Sequence, residues 1–130
     1  MSMAFPGGEP LFLDLRASGA QELEKLFPQP PYFIAHINGA AVPDKAALMA
    51  ALAAAFRFPA YFGGNWDALL DCLRSLPDEL PARGYVIAIA GSERFLSSFR
   101  EDRENFSDIA GDARQFLAEK FKIPFRIVLL

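Results

Sequence analysis

The sequence predicts an α/β fold: a small parallel sheet of three strands, with a candidate fourth from the N-terminal extension, packed by helices. Two observations carry this. Apolar runs of strand length alternate with helical patterns from Tyr32 to the last residue, which implies parallel strands joined by crossover connections. Tyr85-Val86-Ile87-Ala88-Ile89-Ala90 is almost continuously apolar and closed by Gly91, as in a strand covered on both faces.

The elements follow in order. Residues 1–31 are set apart by Pro6-Gly7-Gly8 and Pro10 in front and by Pro28, Pro30 and Pro31 behind. Within this extension residues 11–15 read as a strand, and residues 20–27 as a short helix with Leu23, Leu26 and Phe27 on one side. The main domain is residues 32–130. Phe33 to Ile37 is a strand ended by the turn pair Asn38-Gly39. Asp44 caps a helix through Phe56, whose Leu48, Leu52 and Phe56 recur every four residues. Arg57 to Gly64 is a loop, and Asn65 caps a second helix running to about Ser75. After the 85–90 strand, Ser92 opens a helix carrying Phe95, Leu96 and Phe99. Residues 107–121 form another, with Ile109, Phe116 and Leu117 inward, and residues 125–130 are the final strand. The mixed run Arg100-Glu101-Asp102-Arg103-Glu104 reads as a solvated junction between those two helices.

Composition restricts function. A chain of 130 residues with 52% hydrophobic residues suffices for one buried core. Thirteen Lys and Arg against sixteen Asp and Glu give a net charge of −3, the wrong sign for neutralising nucleic-acid phosphates, so a charged partner is expected to be basic. One Cys72 and one His36 furnish neither a disulfide nor a Cys/His zinc set, and no cofactor or metal is expected. Cys72 reads as a small buried hydrophobe and His36 as a strand-edge residue. No secretory signal or membrane span is read; the expected compartment is the cytoplasm.

The helix after Asn65 carries more than folding requires. On a wheel of about 100° per residue, Leu69, Cys72, Leu73 and Leu76 form the core stripe. Trp66, Asp67, Leu70, Asp71 and Arg74 then fall on the side turned to solvent. The preceding loop adds Tyr61, Phe62, Gly63 and Gly64, and residues 58–80 hold four acids (Asp67, Asp71, Asp78, Glu79) against Arg74. Carboxylates four apart on a helix are usually a solvated face, and Asp67 near the N-terminus is favoured by the helix dipole whatever its role. Rigid aromatics, loop glycines and paired carboxylates in combination have the composition of an interface hot spot.

The run Tyr61-Phe62-Gly63-Gly64-Asn65-Trp66-Asp67-Ala68-Leu69-Leu70-Asp71-Cys72-Leu73 resembles the signature of the barstar family of ribonuclease inhibitors. The similarity extends from Phe33, through Ile37-Asn38-Gly39 and Tyr85–Ala90, to Arg126-Ile127-Val128-Leu129. It implies a non-enzymatic protein, monomeric when free, whose helix and loop plug the cationic active site of a barnase-type ribonuclease without touching nucleic acid or membrane. By resemblance, Asp71 enters the site that binds an RNA phosphate, Asp67 is a second ion partner, and Tyr61 covers the substrate channel. Gly63, Asn65, Trp66 and Leu70 supply the surrounding contacts. The sequence departs from the family's type member in placing Trp66 and Leu70 where leucine and tryptophan stand, and in placing Arg74 beside Asp71. Glu119 is a candidate counterpart of a glutamate on the family's last helix. Two other readings stay open: an acidic interaction module with a non-nuclease partner, and a phosphoesterase holding Mg²⁺ between Asp67 and Asp71.

Overall fold

The computed structural model describes residues 10–59 and 62–130. In chain order the elements are β1 (Phe12–Asp14), α1 (Ala20–Leu26), β2 (Tyr32–Asn38), α2 (Lys45–Phe56), α3 (Trp66–Arg74), α4 (Leu76–Glu79), β3 (Gly84–Ala90), α5 (Arg100–Phe121) and β4 (Phe125–Leu129). The strands form one four-stranded sheet in the order β1-β4-β3-β2, and every neighbouring pair is parallel. The extension supplies the fourth strand: Phe12 pairs with Ile127 and Asp14 with Leu129. Ladder bonds run one residue beyond the strand at each end, from Leu15 N to Leu129 O and from Ile127 N to Leu11 O.

Strand alternation sends side chains to two cores. Ala35, Ile37, Tyr85, Ile87, Ile89, Phe125 and Ile127 face α2, α3 and α5, while Ile34, Val86, Ala88 and Val128 face the other way onto Leu15, Leu23 and Phe27. β3 is therefore covered on both faces, as its unbroken apolar run requires. The helix of the extension is what closes the second face. Of its three apolar residues, Leu23 and Phe27 are buried, whereas Leu26 is exposed, because a helix of two turns presents only a narrow stripe to the sheet. His36 projects from the edge strand β2 on this second side and is exposed.

α2 starts at a side-chain cap. Asp44 Oδ1 accepts from Ala47 N at 3.0 Å, and Asp102 Oδ2 accepts from Lys45 N at 3.1 Å, so two of the unpaired N–H groups at the start of α2 are satisfied. Gly39 sits where a Cβ would lie 2.6 Å from Ala90 O, so this close approach of two chain segments needs glycine.

Two sequence expectations are corrected. Ser92 opens only a 3-10 turn, Ser92–Arg94, rather than a helix. Phe95 is extended and Leu96 has a φ of 51°; Leu96 N donates to Val42 O, and Ser98 N to Pro43 O, so tertiary hydrogen bonds replace a helical ladder here. Phe95 and Leu96 are buried, while Phe99 is exposed. In place of a junction and a helix from Ser107, α5 runs unbroken for 22 residues from Arg100. Glu101 and Asp102 occupy its first turn, where the helix dipole favours acids, and Arg100 pairs with Glu104 at 3.5 Å.

Candidate functional site

α3 is held from below and capped at its start. Leu69 and Leu73 are fully buried, with Leu76 of α4 continuing the line, and Asn65 Oδ1 accepts from Ala68 N at 2.8 Å. Gly64 enters this cap with a φ of 72°, a left-handed conformation that favours glycine; Gly63 next to it is exposed. At the far end Ser75 Oγ donates to Asp71 O at 2.9 Å, and α4 follows from Leu76 with Pro77 in its first turn.

On this rigid helix Asp67 and Asp71 lie four residues apart and are both exposed. Among the described residues neither has an ion-pair partner. Trp66 and Leu70, read from the wheel as turned to solvent, are half-buried and lean on the main core. The Lys45 ammonium lies 5.9 Å from the Trp66 ring centre. Arg74 is exposed, and its guanidinium lies 5.1 Å from the ring centre of Phe116 on α5. Tyr61 lies outside the described residues.

Glu119 is exposed on α5, where Gln115 Nε2 donates to it at 3.1 Å. It lines an open cavity of about 520 Å³ together with Leu11 and Arg114, rather than the ridge of α3. Cys72, expected to be buried, is half-buried. Desolvation raises its thiol pKa, and the nearby Asp71 and Glu79 carboxylates raise it further, so the protonated form persists.

The sequence reading missed the surroundings of Asp71. Phe58 stacks on Phe56 with ring centres 5.8 Å apart and meets Phe62 at 5.1 Å, so three rings pack together near α3. Nothing in helix periodicity tells that Phe58 and Phe62 pack on Phe56. Among the described residues no group of three or more His, Cys, Asp or Glu is placed to hold a metal ion, and no helix is long and apolar enough to cross a membrane.

These features place an acidic ridge with an apolar flank on an α/β scaffold. Residues 32–130 match the model of the barstar (barnase inhibitor) family, and the chain belongs to that family. Its members act by protein–protein contact as inhibitors rather than as enzymes. Among curated proteins no match is found.

Proposed function

We propose that this protein inhibits a barnase-type ribonuclease by laying the outer face of α3 across the enzyme's cationic active site. The observation that carries the proposal is the pair Asp67 and Asp71, exposed one turn apart on a capped helix and free of ion-pair partners among the described residues, within a chain of the barnase-inhibitor family. A carboxylate presented this way offers a cationic cleft the acceptor geometry of a substrate phosphate, with two oxygens for a bidentate arginine. Because the helix is already ordered, little conformational entropy is lost on docking. Asp71 would take the central position and Asp67 the second. Tyr61, Gly63, Asn65, Trp66 and Leu70 would form the surrounding contact, with Arg74 at the rim and Glu119 as a further candidate. The protein would act as a monomer in the cytoplasm, with no catalysis of its own.

The test is an inhibition titration of barnase-type ribonuclease activity on RNA, with association followed by Trp66 fluorescence at low and high salt. Inhibition at 1:1 stoichiometry with an on-rate that falls as ionic strength rises is expected. No inhibition of any such ribonuclease would rule the proposal out.

A further inference from the structure

β2 forms one end of the sheet, and its outer edge meets no other strand among the described residues. Tyr85 N donates to Pro124 O, so the odd-numbered residues of β3 turn their peptide groups to β4 and the even-numbered ones to β2. With Phe33 in register with Tyr85, it is the odd-numbered residues of β2 that answer them. The even-numbered residues of β2 therefore point their peptide groups outward, as Tyr32 does in donating to Pro28 O. Past Tyr32, the N–H and C=O of Ile34 and His36 and the N–H of Asn38 bond to nothing among the described residues.

The two ends of the sheet differ. β1 has only three residues and carries the exposed Asp14–Arg16 ion pair at 2.7 Å, two features that discourage a further strand. β2 has seven residues with neither proline nor lysine, and it pairs with β3 in an unbroken register. Beside Ile34 a cavity of about 400 Å³ opens, walled also by Phe27 and Pro28. Phe27 and Ile34 are each 6% exposed, and the Phe27 ring is held edge-on to Tyr32 with ring centres 5.3 Å apart. A cavity of roughly 150 Å³ accommodates a benzene ring, so this one has room for an aromatic side chain.

We propose that the β2 edge binds an extended segment of another protein. The segment adds a strand along residues 34–38, and its residue opposite Ile34 places an aromatic side chain in the cavity. Residues in register on neighbouring strands share a face of the sheet, so this side chain points to the side where Phe27 lies. The free peptide groups supply the pairing and the cavity sets the residue preference, the division of labour in strand addition. Phe27 and Ile34 belong to the core on the α1 side, whereas Leu69 and Leu73 of α3 belong to the opposite one. This site is thus separate from the inhibitory surface proposed on α3, and both can be filled together.

The probe is the peptide acetyl-Thr-Val-Thr-Phe-Thr-Val-Thr-amide, titrated into the full chain and followed by amide chemical shifts and hydrogen exchange. Saturable shifts and slowed exchange at the N–H groups of Ile34, His36 and Asn38 are expected. Replacing the peptide's phenylalanine by alanine should weaken binding about ten-fold or more, through loss of a buried aromatic side chain. The same peptide N-methylated throughout should also bind about ten-fold or more weakly, because its backbone donors are gone. Ribonuclease inhibition should be equal with and without peptide. The proposal is overturned by the absence of saturable change at these amides, by equal binding of the alanine or methylated peptide, or by competition between peptide and nuclease. Sedimentation showing that a second copy of the chain already protects the same amides would overturn it as well.

Discussion

The guanidinium of Arg74 lies over the ring of Phe116 at 5.1 Å, and the Lys120 ammonium lies 5.9 Å from the same ring. Arg74 is three residues from Asp71 on α3, a spacing at which an ion pair could form, yet none forms. The aromatic face of α5 thus holds the one base of the helix to the side and leaves the Asp71 carboxylate open to a partner. Removing that base should strengthen attraction to a cationic cleft. Arg74→Ala is expected to tighten inhibition of a barnase-type ribonuclease about two- to five-fold at low salt, an effect that shrinks at high salt. Phe116→Ala should weaken inhibition by releasing Arg74 toward Asp71. Inhibition constants at two ionic strengths check both.

Asn65 holds the start of the contact helix through its bond to Ala68 N. Asn65→Ala should lower stability by about 1 kcal/mol, as loss of an N-cap does, and should be seen as a lower melting temperature. Asn65→Asp, which keeps the acceptor, should restore the melt.

α1 covers the sheet face formed by Ile34, Val86, Ala88 and Val128, and Leu23 is its fully packed anchor at 2% exposure. Leu23→Ala should cost about 2–4 kcal/mol, through lost transfer energy and the cavity left behind. Because α3 lies on the opposite side of the sheet, the folded fraction should inhibit like the parent. Thermal melts and titrations on the same preparation separate the two.

The raised pKa of Cys72 sets a pH dependence. The unfolded chain loses this proton near the ordinary thiol value of 9.0, while the folded chain retains it to higher pH, so stability should fall as pH rises above about 9. Iodoacetamide should alkylate the native protein more slowly at pH 8 than it does the protein unfolded in urea. Equal rates would show that Cys72 has an unperturbed thiol.

Much of this was legible in the sequence, and what was not has identifiable causes. The apolar run at β3, the caps Asp44 and Asn65 and the core stripe of α3 are local patterns, and local patterns fix period and boundaries. The segment Ser92–Phe99 misled because Phe95 and Leu96 recur like helix residues, while the backbone of Leu96 and Ser98 is tied to Val42 and Pro43 some fifty residues earlier. The helix read from residue 107 instead begins at Arg100, and the buried Phe106 and Ala110 lie together along it. Around Asp71, the carboxylates were read from spacing alone; the ring under Arg74 lies on α5 and Phe58 lies in the segment after α2, neither of which a wheel of α3 contains.

Asp71→Ala tests the central claim most directly. Asp71 is exposed and outside both cores, so its removal should leave the melting temperature within about 2 °C of the parent, the scale of a surface change of under 0.5 kcal/mol. Inhibition of a barnase-type ribonuclease should weaken by roughly 30-fold or more, with Asp67→Ala next in severity, because the enzyme's buried cations lose their counter-charge. An Asp71→Ala protein that melts like the parent and inhibits like the parent would contradict the claim that this helix is the inhibitory surface.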